Sequence, residues 1–212
     1  SMTLGVKGIR SLAIAASSYS WLCRELPGWG IGPQQLWIHS SATALAAHRL
    51  AERSRLADPD LALTSGLLHD IGLVAMSLAL GTKSQAIKDY ANRKKMPFPL
   101  VERKVLGFDH CEVGAGLAEA WGMPDRIVEA IRWHHEPGRT NEHFGLAAVV
   151  HSGAHAADLL GYGLTKHGFL FKSCQVALNA SGFHVKAKDE LADTLKEDMK
   201  EYQLLFSERS AA

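Results

Sequence analysis

The chain has 212 residues, 47% of them hydrophobic and 21% charged, with a net charge of +1. That length suits one ordinary core, and the near-cancelling charges exclude both the basic footprint of a nucleic-acid binder and the like-charge block of an anionic-membrane binder. Three widely spaced cysteines, Cys23, Cys111 and Cys174, form neither a disulfide framework nor a CxxC pair, so the cytoplasm is the expected compartment.

Helical periodicity runs through almost the whole chain, with no strict alternation that makes a strand and no internal repeat. Ser1-Met2 looks like a tag residue before a start Met, and no signal peptide follows. Residues 4–26 are rich in Ala, Leu and Ile and break at Pro27-Gly28-Trp29-Gly30. Pro33 opens a helix over 34–55, with Leu36, Ser40, Ala44 and Ala47 on or near one face. Asp58-Pro59 supplies an N-cap and a first-turn proline for a helix that carries His69-Asp70 and meets Gly81 at its end. Residues 61–80 are about as long as a membrane span, but Thr64, Ser65, His69 and Asp70 within the run favour a helix buried in a soluble protein. An exposed amphipathic helix over 83–95 and a short one over 100–106 flank Met96-Pro97-Phe98-Pro99. Asp109 caps a helix over 110–121, and Met123-Pro124-Asp125 turns the chain into 126–133. Pro137 forces His134-His135-Glu136 out of the helix. Helices over 144–160, stopped by Gly161 and Gly163, and over 169–180 and 188–206 complete the expectation of one all-α domain spanning residues 4–206.

His69-Asp70 interrupts an apolar run. Burying that pair is costly unless both groups are paired, hydrogen-bonded or bound to a metal. Imidazole and carboxylate together hold zinc, iron or manganese. Adjacent side chains on a helix point about 100° apart, so the dyad needs ligands from elsewhere to close a site. His39 offers one from a facing helix, the usual way a bundle builds a metal centre. His134 and His135 sit at a helix end, where both rings can turn into a cleft. His151, His155 and Asp158 share one helical face. Each has a plainer alternative: a core histidine at 39, a solvated helix end at 134–135, a solvent-facing polar stripe at 151–158 and a structural pair at 69–70. Cys111 beside His110 is either a soft ligand or, the favoured alternative, a small buried filler. His48, His143, His167 and His184 have no supporting context.

Trp37-Ile38-His39-Ser40, Gly66-Leu67-Leu68-His69-Asp70-Ile71-Gly72, Glu102, Asp109-His110-Cys111-Glu112-Val113-Gly114-Ala115, Trp121-Gly122-Met123-Pro124 and Ala130-Ile131-Arg132-Trp133-His134-His135 occur in this order. Together they resemble the HDOD domain, a branch of the HD superfamily found in bacterial signalling proteins, and the resemblance implies an HD-like helical bundle. HDOD domains usually carry a further N-terminal helical region before the segment matching Leu4-Gly5-Val6, and this chain begins after it. Trp29 and Trp37 are read as exposed aromatics, either a docking surface or a face covered by that region.

HD enzymes are metal-dependent phosphohydrolases whose ligands run His, His-Asp and a distal Asp, with further histidines for a second metal in the HD-GYP branch. The resemblance thus implies His39, His69 and Asp70 as the first three ligands and His110, His134 and His135 as the added ones. The distal position falls at His155, with Asp158 one turn on. The implied cofactor is one or two ions of iron, manganese or zinc. The dyad continues as Ile71-Gly72-Leu73 without the HD-GYP lysine, and no Gly-Tyr-Pro follows His135-Glu136. Both departures count against cyclic di-GMP hydrolysis. The favoured expectation is a regulatory signalling module with a metal site and a protein partner; the alternatives are a metal-dependent phosphohydrolase of a phosphoester or nucleotide, and a helical scaffold with vestigial histidines.

Overall fold

The computed structural model describes residues 13–14, 17–140, 142–164 and 173–207. Among them there is no strand; the helices are α1 (Gln35–Ser54), α2 (Pro59–Leu68), α3 (Ile71–Leu80), α4 (Ser84–Lys94), α5 (Phe98–Leu106), α6 (His110–Ala120), α7 (Asp125–Trp133), α8 (Phe144–Leu159), α9 (Gln175–Ser181) and α10 (Val185–Ser207). Helical residues 17–22 and a 3-10 turn at Pro27–Trp29 precede α1.

Helix α1 is the central element. Leu36, Ser40, Ala44 and Ala47 are buried as expected, and so are His39, Ala42, Thr43 and Ala46 on its other sides. It packs between α2 and α8, with α10 also against it. A bidentate pair fixes α10 there: Arg49 Nη2 lies 2.7 Å from Asp198 Oδ1, and Arg49 Nε lies 2.9 Å from Oδ2.

The expected caps form. Asp58 Oδ1 accepts hydrogen bonds from the Asp60 and Leu61 amides at 3.0 and 3.4 Å, with Pro59 in the first turn. Asp109 Oδ1 accepts from the Glu112 amide at 2.9 Å.

One expected helix is in fact two. The chain breaks at His69-Asp70, where Asp70 adopts φ −103° and ψ 12°. His69 Nδ1 donates to the Gly66 carbonyl at 2.7 Å. In an unbroken helix that carbonyl would accept from the Asp70 amide, so the ring competes with the ladder. At the break the two side chains meet, His69 Nε2 lying 3.2 Å from Asp70 Oδ2. The expected helix over 169–180 also differs. Residues 169–172 lie outside the described ones, and residues 173–174 are extended, because His151 Nε2 accepts the Cys174 amide at 2.8 Å and the helix starts only at Gln175.

Two glycines let the helices that carry the site approach closely. A Cβ on Gly66 would sit 2.7 Å from the Ala44 Cα, and one on Gly72 would overlap the His110 carbonyl oxygen. The first contact sets α2 on α1 and brings His69 to His39. The second sets α3 on α6 and brings Asp70 to His110.

Trp29 and Trp37, expected either on a docking surface or under a further N-terminal region, are buried within the chain itself. Trp29 packs on Phe98 with ring centroids 5.3 Å apart, and Trp37 lies between Tyr19 at 4.9 Å and Tyr202 at 5.6 Å. Of the described stretches, only Pro59–Lys94 is long and apolar enough to cross a membrane, and 72% of its most apolar window is buried inside the protein.

Candidate metal centre

Asp70 stands at the middle of the site. Its carboxylate faces four imidazole nitrogens, two on each oxygen. His69 Nε2 is 3.2 Å and His39 Nε2 3.7 Å from Oδ2; His110 Nε2 is 3.4 Å and His134 Nε2 3.5 Å from Oδ1. His135 joins through His110, with the two Nε2 atoms 3.2 Å apart. These residues come from α1, the α2–α3 break, the start of α6 and the end of α7.

The far nitrogen of four of these rings is already engaged. Nδ1 of His69, His134 and His39 bonds to the carbonyls of Gly66 (2.7 Å), Ile131 (2.8 Å) and Tyr162 (3.1 Å). Nδ1 of His110 bonds to Glu102 Oε2 at 2.6 Å, and the same oxygen accepts the His110 amide at 3.0 Å. A carbonyl can only accept, so Nδ1 carries a proton in the first three rings, and Nε2 is the nitrogen turned inward. This is how outer partners orient metal-bound histidines.

Charge at the centre is unevenly held. Burial alone would raise the Asp70 carboxyl, but His69, His110 and His134 hold it well below the ordinary carboxylate range. Burial likewise opposes protons on His110 and His134, yet Cys111 and the nearby carboxylates raise His110 well above its ordinary value and His134 to about 10. His39, lowered to about 4 by burial and the neighbouring His69, stays neutral, and so does His135, lowered by burial and by His134 and His110. His134 Nε2 is buried without a hydrogen-bond partner, as expected of a ligand atom.

Two sets of ligand atoms each lie within 4.8 Å of one another: His39, His69 and Asp70; and His110, Cys111, His134 and His135. The structure therefore brings six of the seven expected residues together. His155 stands apart, its ring edge-on to Phe183 at 6.1 Å. Asp158, one turn further along α8, comes to the cluster instead, with Oδ1 3.9 Å from His39 Nδ1. Burial and the Asp70 charge raise Asp158 to about 6. His151, expected on the same face, is a buried pin: its Nδ1 donates to the His134 carbonyl at 2.7 Å. Glu102 carried no role in the sequence beyond its place in a motif. Its signal was the buried spacing Phe98, Val101, Glu102, which puts a carboxylate on the inner face of α5. Cys111, favoured as a filler, is buried but belongs to the second set.

The HDOD domain family matches residues 2–137. The chain belongs to the HDOD family. A protein of Treponema pallidum is 25% identical over 152 residues, covering 69% of this chain and 28% of its own length. Ribonuclease Y of Aquifex aeolicus is 34% identical over 103 residues, covering 49% of this chain and 13% of its own. The HDOD chain thus spans under a third of either relative. A candidate signal transduction protein of Marinobacter aquaeolei, known from its crystal structure, shares the fold with a TM-score of 0.74 and 22% identity, over 95% of this chain and 45% of that one.

Proposed function

We propose that this HDOD chain is a cytoplasmic signal-transduction module in which a divalent metal, bound by His39, His69, Asp70, His110, His134 and His135, organises the fold for contact with a protein partner. One observation carries the preference for regulation over catalysis. Among the described residues, the cavity against the cluster, lined by His39, His69, Asp70, His110, His135 and Asp158, has a volume of only 20 Å³. That is room for an ion or a water and not for a phosphoester. Partner contact is supported by an apolar groove of 570 Å³ beside α3, lined by Trp21, Ile71, Val74, Leu78, Leu117 and Trp121. Trp21, Leu78 and Trp121 are solvent-exposed, and exposed apolar surface of this kind marks interaction sites. Ile71 links the groove to the neighbouring Asp70, so metal occupancy and groove shape share one turn of chain.

A second reading is favoured by Asp158. Its carboxylate lies beside the outer nitrogen of His39, so His39, His69-Asp70 and Asp158 supply the residue types of a His/His-Asp/Asp set, the donor pattern of metal-dependent phosphohydrolases. A bound metal would then supply an acidified water and polarise a phosphoryl oxygen.

The test is the metal content of protein purified without chelator or nickel resin, followed by assay on a model phosphodiester with Mn, Fe, Mg and Zn. The module reading expects one to two equivalents of metal, lost in a folded Asp70→Ala variant, and no hydrolysis. Turnover abolished by Asp70→Ala would replace it with the phosphohydrolase reading. No metal in the native chain would refute both.

A further inference from the structure

We propose that Cys111 is a thiolate ligand, so that the centre has two chemically unequal subsites sharing the Asp70 carboxylate: a soft one at His110, Cys111, His134 and His135, and a harder one at His39, His69 and Asp70. This rests on the metal reading above and specifies which metal each half takes.

Cys111 is buried on the first turn of α6, directly after His110. Its sulfur and one nitrogen from each of three histidines all lie within 4.8 Å of one another. Ligands on one tetrahedral ion are roughly 3.5 Å apart, given metal–sulfur bonds of about 2.3 Å and metal–nitrogen bonds of about 2.0 Å, so modest side-chain shifts close the set. Two independent features point into the same space. His134 Nε2 is fully buried and has no hydrogen-bond partner, while its Nδ1 is held by Ile131. His110 and His135 set their Nε2 atoms 3.2 Å apart, although Glu102 already engages the other nitrogen of His110. That contact is a hydrogen bond as it stands, and a cation bound there would replace its proton.

The two halves differ in softness. Three imidazoles and a thiolate suit Zn²⁺ or Fe²⁺, whereas two imidazoles and a carboxylate, without sulfur, also accept Mn²⁺. Binding at the soft half breaks the Cys111 S–H bond, forms a sulfur–metal bond and releases the proton to solvent.

The experiment titrates the full chain, stripped of metal, with Co²⁺ alone under anaerobic conditions. The native chain is expected to develop a sulfur-to-cobalt charge-transfer band in the near ultraviolet together with visible ligand-field bands. Cys111→Ser should lose the charge-transfer band and keep cobalt at His39 and His69, and its zinc affinity should fall by about tenfold or more. Cys111→Ala serves as a second variant if the serine chain does not fold. Bound cobalt without a charge-transfer band, or a band that survives both substitutions, overturns the role of Cys111 and leaves the metal centre standing. A native chain that retains no cobalt overturns the metal reading and this inference with it.

Discussion

His151 is held at both ring nitrogens. Nδ1 donates to the His134 carbonyl at 2.7 Å, and Nε2 accepts the Cys174 amide at 2.8 Å. Only the neutral ring can do both, because a proton on Nε2 would face the Cys174 N–H. Burial, helped by the charges of His134 and His155, lowers the ring to about 4 against an ordinary value of 6.5, with the His134 carbonyl pulling the other way. The folded chain disfavours the protonated ring, so the His151 contribution is complete above pH 6.5 and is lost as pH falls from 6.5 towards 4. A shift of this size corresponds to about 3 kcal/mol. Denaturant midpoints measured with chelator present should therefore fall between pH 6.5 and 4, and fall less steeply in His151→Gln, whose amide donates and accepts but does not titrate. Equal slopes in the two chains would show that His151 is not a pH-dependent element of the fold.

Helix packing delivers the ligands, and the contact between α3 and α6 is the most demanding. A methyl group on Gly72 meets the His110 carbonyl, which is backbone and cannot rotate away. Gly72→Ala should destabilise the chain by about 3 kcal/mol and weaken metal binding, since the displaced α6 carries His110 and Cys111. Gly116→Ala on the same helix has open space around the new methyl group and should be neutral or stabilising by about 1 kcal/mol. Thermal melts and metal titrations of the two variants check this; similar losses in both would refute the close-packing argument. What was legible in the sequence follows the same division. Asp58-Pro59, Asp109 and Pro137 act on their own neighbours, so the helix boundaries at these points could be read locally. The break at His69-Asp70 could not, because an apolar run with helical spacing gives no hint that a ring will take the Gly66 carbonyl. The choice of His155 over Asp158 at the distal position has a related cause. The two are three residues apart, about 300° of helical rotation, and the face of α8 that meets the cluster is fixed by the His151 bond to His134, a contact 17 residues away in sequence. Trp29 and Trp37 seemed exposed because their covers, Phe98 and Tyr202, lie far along the chain.

The family match ends at residue 137, yet the centre does not. Helix α8 brings Asp158 to His39, the turn after it supplies the Tyr162 carbonyl that orients His39, and His151 on α8 pins the end of α7 that carries His134 and His135. Residues from α8, α9 and α10 (Val149, Val150, Leu178, Leu191, Leu195 and Met199) form one apolar cluster with Ala42, Ala46, Ala47 and Leu50 of α1. Without them α1 would expose an alanine-rich face to water and lose the Arg49–Asp198 pair. We therefore propose that residues 4–206 form one cooperative domain. Heating should give a single transition, with calorimetric and van't Hoff enthalpies in agreement, and chelator should lower its midpoint, because a ligand that binds only the folded chain stabilises it by mass action. A chain cut after residue 143 should lack both the cooperative transition and metal retention. Two separable transitions in the full chain, or a stable metal-binding fragment of residues 4–143, would instead make α8 to α10 a dispensable addition to a self-sufficient N-terminal core.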